Sequence, residues 1–216
     1  MSDRFHAELE RMKENSLGMG YLAEDMLRKS VLALEKRDTD LVEWIKSQKK
    51  DLSNQNDRIE EEIYSIIALY QPVAKDMRTV ACSLRMISAS ERIGRYGKDI
   101  ANIVAAIADQ PPIGRLVGIP HMADLVLDMI DDALIAYEKE DLSLIQDHSE
   151  RDDVIDALRH SIFRECITYM MEDPKTITRC TNYVMIARYL ERCGDHSCKM
   201  AEKIHYMVTG ERVEIK

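Results

Sequence analysis

One order of short markers occurs twice in this 216-residue chain, about 100 positions apart. The stretch Ala33 to Asp38 resembles Ala136 to Asp141, Gln71-Pro72 corresponds to Asp173-Pro174, and Glu91-Arg92-Ile93-Gly94 corresponds to Glu191-Arg192-Cys193-Gly194. The offsets are 103, 102 and 100, nearly constant and in the same order, so the chain is read as a duplicated unit of about 100 residues. Within each unit there is little to interrupt a helix. Gly 8 and Pro 5 together are about half the usual share. Aromatic residues are scarce at 6%, against any all-β reading.

The apolar spacing fills in the elements. Phe5, Leu9, Met12, Ser16, Met19, Ala23, Met26, Ser30 and Ala33 alternate steps of four and three, the seam of a helix packed lengthwise over about residues 3–36. A second helix is expected over about 40–70, after an Arg-Asp-Thr-Asp stretch suited to capping. Pro72 is expected to open a third, running to about Ala108. The segment 109–120 holds three of the five prolines and two glycines and reads as the linker. The expectation is an all-α fold of six long antiparallel helices in two tandem three-helix bundles: residues 1–108, a linker at 109–120, and residues 121–216.

Charge and composition exclude several functions. A formal net charge of −9 without a concentrated basic stripe opposes a nucleic-acid partner. The first residues lack the layout of a signal peptide, and no uncharged run reaches the roughly 18 residues of a membrane span, so a cytoplasmic protein is expected. Five cysteines without a CxxC pair point to reduced thiols. There is no GxSxG, P-loop or glycine-rich phosphate cradle and no nucleophile–base constellation, so the chain is expected not to be an enzyme.

The chemistry-bearing feature is acidic. The expected seam of the third helix passes through Glu91, and that of the sixth through Glu191, with Asp195 one turn further on. Asp152 and Asp156 repeat the i, i+4 spacing on the preceding helix. Antiparallel packing of those two helices would gather Asp152, Asp156, Glu191 and Asp195, and four like charges resist joint ionisation unless a cation joins them. All-oxygen ligands suit Mg²⁺, Mn²⁺, Ca²⁺ or iron. By spacing alone, ion pairs with Arg151, Arg159, Arg188 and Arg192 are the simpler account of the same residues, since DxxxD and ExxxD are common in acidic helices.

The stretches Gln71 to Arg78, Glu91 to Gly94 and Glu191 to His196 resemble the QPxAxDLR and ERIGDxA signatures of the PhoU family, over essentially the whole chain. That resemblance implies a non-enzymatic regulator of phosphate uptake and phosphate-responsive signalling. Its partners would be the ATPase subunit of a phosphate ABC transporter and, in bacteria, a sensor histidine kinase, with membrane contact only through these partners. It also implies multinuclear iron or zinc clusters on DxxxD and ExxxD motifs of each repeat. The second repeat keeps all four positions, as Asp152, Asp156, Glu191 and Asp195. In the first, Lys49 and Ser53 fall on the DxxxD positions and Arg95 replaces the aspartate after Glu91. One metal cluster is therefore expected per chain, with Lys49 and Arg95 substituting for the other metal and Glu91, Arg95 and Asp99 forming a charge ladder. The sequence is compatible with a homodimer.

Other arrangements fit less well. Cys193 and Cys198, five apart, diverge on a helix and are expected to be small core residues, not thiolate ligands beside His196. Glu202-x-x-His205 is half of a ferritin-like di-iron pattern whose second half is missing. The alternative reading is a di-metal carboxylate enzyme or metal-storage bundle; a purely structural helical adaptor is a third. Gly18 and Gly20 are expected to permit close helix approach, and Asp76 and Arg78 to sit at one tip of the rod as a docking surface.

Overall fold

The computed structural model describes residues 3–114 and 116–215. Residues 1–2 and 216, at the outer ends of the two expected units, and Arg115 of the expected linker lie outside the described residues. Six long helices follow in order: α1 Asp3–Lys36, α2 Thr39–Tyr70, α3 Ala74–Ile107, α4 Ile119–Lys139, α5 His148–Glu172 and α6 Ile177–Thr209. Three short 3₁₀ turns, Leu116–Gly118, Leu142–Leu144 and Pro174–Thr176, sit in the connections. No strand occurs among the described residues. At about 1.5 Å per residue the longest helices are rods of roughly 50 Å.

Local chemistry sets the ends. Asp38 caps α2 by accepting from the backbone N–H groups of Asp40 and Leu41. Gln71 and Gly210 turn left-handed to end α2 and α6, and their N–H groups close on Ile67 and Tyr206 carbonyls. Pro72 does not enter α3 as expected. Val73 is extended and occupies the cap, so the proline stiffens the turn ahead of the helix. Pro120 goes the other way: α4 starts at Ile119, so the last two residues of the expected linker form its first turn.

The two repeats share a single core. α1 and α3 pack against each other and meet α4 and α6 of the second repeat, while α2 lies outside α1 and α3, and α5 outside α6 and α4. Hence α1 buries a wide stripe that includes every one of the nine expected seam residues. α5 buries only His148, Ile155, Ile162 and Cys166. The third-helix seam is broader than expected, because α3 is covered from several sides. Its buried stripe runs through Ser83, Met86, Ser90, Ile93, Gly97 and Ile100, and Glu91 stands at the rim, half-buried.

Close approach between elements depends on particular small residues. A Cβ at Gly97 would lie 3.0 Å from the Leu27 backbone nitrogen and 3.0 Å from the Met26 carbonyl carbon, so α1 and α3 touch backbone to backbone there. Gly20 does permit approach, to the Leu134 side chain of α4, whereas Gly18 faces open space. Between repeats, the Tyr137 and Ser83 hydroxyls share a buried hydrogen bond of 2.5 Å, and Tyr96 stacks on Tyr189 with centroids 5.5 Å apart. At the expected tip, Arg78 Nε donates to the Met207 carbonyl at 3.2 Å, tying the start of α3 to the end of α6. All five cysteines are buried and free.

Candidate metal centre

The α5–α6 pair runs antiparallel, and Gly194 lets it close tightly. A Cβ there would stand 3.3 Å from Asp152 Oδ1 and 3.4 Å from Ile155 Cδ1. Asp152 is therefore laid against the α6 backbone, and burial is the main reason its carboxyl is pushed up to about 6. Asp195, Asp156, Asp153 and Glu191 add to that rise in decreasing order. The four expected residues thus occupy one face and feel one another's charge.

They do not, however, form a ligand shell. Among the described residues, no three His, Cys, Asp or Glu side chains converge as a metal would require. Two arginines pair with three of the four instead. Arg159 Nε lies 3.5 Å from Glu191 Oε1 and 4.0 Å from Asp156 Oδ1, and Arg192 donates to Asp195 Oδ2 at 3.1 Å. Arg151 turns away to Asp132 on α4, at 2.6 Å. Among the described residues no cation lies within ion-pair distance of Asp152. The clamp is also loose: Arg159 Nε is buried yet makes no hydrogen bond. Asp152 is half-buried and keeps oxygens of the kind a hard cation takes, while arginines stand beside the other three carboxylates, so a metal would have to displace Arg159 and Arg192 to gather all four.

The corresponding face of the first repeat carries a built-in cation. Lys49 Nζ donates to Ser53 Oγ at 2.5 Å, Ser53 Oγ lies 3.4 Å from Glu91 Oε1, and Lys49 Nζ is 3.6 Å from the same oxygen. The expected ladder through Arg95 does not form. The Arg95 guanidinium lies over the Tyr96 ring, 5.9 Å from its centroid, and Asp99 lies nearest Lys98 at 3.9 Å. An adjacent aromatic face offers a cation nearly as much as an exposed carboxylate one turn away.

The remaining candidates have structural roles. Cys193 and Cys198 are buried, and desolvation pushes the Cys198 thiol up to about 12, which keeps it protonated. Burial, and then Lys199, depress the His196 imidazole to about 4, leaving it neutral. His205 and Glu202 hold the C-terminal tail instead of a metal: His205 Nδ1 is 3.2 Å from the Glu211 carbonyl, and Glu202 Oε1 accepts from the Ile215 N–H. Sequence spacing offered the four carboxylates and, among their ion-pair candidates, Arg159 and Arg192, which do pair with them; it missed Gly194 as their cradle. The glycine was visible in the repeated Glu-Arg-x-Gly motif; its partner side chain was not.

Comparison with known proteins decides the family. The family model described as the PhoU domain matches residues 17–104 and again 119–204. The chain belongs to the PhoU family. A phosphate-specific transport system accessory protein PhoU homolog from Rhizobium meliloti is 38% identical over 95% of this chain and 87% of its own length. The homolog from Deinococcus radiodurans is 32% identical over 98% of this chain and all of its own. The crystal structure of PhoU from Pseudomonas aeruginosa superposes with a TM-score of 0.91 at 32% identity, covering 96% of this chain and 100% of that one. The PhoU fold, with its duplicated domain, is therefore the fold of this chain. No described helix is long and apolar enough to cross a membrane.

Proposed function

We propose that this chain is a non-enzymatic regulator of phosphate uptake and phosphate-responsive signalling. It would act on the ATPase subunit of a phosphate ABC transporter and, where one exists, on a sensor histidine kinase. The observation that carries this reading is whole-length similarity to proteins named as accessory components of phosphate-specific transport systems, with both repeats aligned. The surface supports it: a long helical body with charged faces is suited to bridging partners.

In this reading Asp152, Asp156, Glu191 and Asp195 take up a multivalent ion cluster, of iron or zinc by resemblance, with Mg²⁺, Mn²⁺ or Ca²⁺ as chemically suitable substitutes. The ion would supply positive charge to a face otherwise served by Arg159, beside Asp156 and Glu191, and by Arg192 on Asp195. The first repeat would hold none, since Lys49 already lies against Glu91. Surface-immobilised transporter ATPase, tested against this chain with metal supplied and with metal chelated, checks the proposal. Binding that weakens on chelation is expected. No binding in either condition would overturn the partner assignment, and equal affinity in both would remove the metal from the mechanism.

A further inference from the structure

Over the α3–α6 seam the C-terminal tail folds back and flanks a half-open pocket of about 340 Å³. Cys82 and Arg85 of α3, Glu202, Lys203 and Tyr206 of α6, and Arg212 of the tail line it. We propose that this cavity binds a small, multiply charged phosphate-bearing anion. Its volume falls within the roughly 300–1,000 Å³ of small-molecule sites. Three cations reach it from three different elements, in a chain whose formal net charge is −9.

The single carboxylate of the lining is already committed. Glu202 Oε1 accepts the Ile215 N–H at 3.2 Å, and Oε2 lies 3.5 Å from Lys203 Nζ. Arg85 and Arg212 have no carboxylate within ion-pair distance among the described residues; Arg212 rests against the Tyr206 ring, 5.5 Å from its centroid. Two unpaired guanidiniums offer planar forks that match phosphate oxygens in bidentate fashion, and Lys203 adds a point charge. At the floor, the Cys82 thiol is held protonated by burial and brings no competing negative charge. A second cavity of about 380 Å³ shares Arg85, Glu202 and Lys203 and adds Lys199, so the positive field continues along the seam. With Arg212 of the tail on one side and Arg85 and Lys203 on the helices, a pocket of about 340 Å³ is sized for a compact anion.

This assignment rests on the phosphate-system reading only for the choice of first probe, and it is tested without any transporter. The full chain, held in chelator at low ionic strength, is titrated calorimetrically with orthophosphate and separately with pyrophosphate, with sulfate as comparison. Saturable binding of one anion per chain is expected, with Kd of order 0.1–1 mM for at least one phosphate probe. Arg85→Gln and Arg212→Gln should each weaken it about tenfold or more. Arg164→Gln, on the exposed side of α5, should leave it unchanged. Added salt should weaken it. Absence of binding, sulfate binding as tight as phosphate, or equal effects from all three substitutions would overturn the proposal. Circular dichroism melting confirms that each variant is folded, and Arg212, on the tail outside the helices, keeps the test informative if Arg85→Gln is unstable.

Discussion

Asp152 carries an electrostatic cost that the rest of the quartet imposes on it. Its carboxyl ionises at about 6 in the folded chain, against about 3.9 when unfolded, so the native state holds the extra proton between those values. Stability therefore falls as pH rises from about 4 to 6, and the cost is fully present above that window. The full displacement would amount to about 3 kcal/mol, but the half-exposed group keeps only about 1 after solvent screening. Asp152→Asn should raise metal-free stability at pH 7.5 by about 1 kcal/mol, with the gain vanishing near pH 4, read from urea unfolding at the two pH values. At the same scale, Tyr137→Phe removes the buried bond to Ser83, whose hydroxyl still donates to the Thr79 carbonyl at 2.8 Å. The expected loss is about 1 kcal/mol in the same assay. The four carboxylates were legible because one turn of helix fixes where i and i+4 point. Arg95 was misread because its alternative partner, Tyr96, competes on equal terms at a half-buried surface. Arg159 was one of four arginines the spacing offered as ion-pair partners; which carboxylates it reaches, Asp156 and Glu191, depends on how α5 meets α6.

Helices as units were the most readable level. The nine-residue seam of α1 is buried throughout, because a lengthwise contact imposes its period on the sequence. α3 departed from its expected seam since three neighbours cover it, and a helix enclosed on several sides has no single stripe to detect. Glycines separate these cases experimentally. Gly97→Ala should destabilise the fold by about 1–3 kcal/mol, because the new methyl meets α1 backbone, which cannot rotate away as a side chain can. Gly18→Ala, in open space mid-helix, should instead stabilise by about 0.5–1 kcal/mol. Thermal unfolding of the two variants beside the wild type distinguishes them by sign. Both glycines sit in unbroken helical sequence, and only the partner helix tells them apart.

At the scale of the molecule, duplication has produced two faces of unequal chemistry. The repeat was legible from three short markers, but the sharing of one core between the repeats was not, because spacing within a helix is silent on which repeat it faces. On the first face Lys49 satisfies Glu91 internally. On the second, Asp152 lacks a cation and Arg159 bridges its neighbours without a hydrogen bond. Under the proposed function, this difference would make the second face, and not the first, the resident site of a multivalent ion. Metal content per chain, measured by mass spectrometry on protein purified without a metal-affinity tag, tests it most directly. Metal is expected in the wild type and in Glu91→Gln, with its loss in the Glu191→Gln, Asp195→Asn double variant. Metal-free wild type, or metal that persists in the double variant, would contradict it.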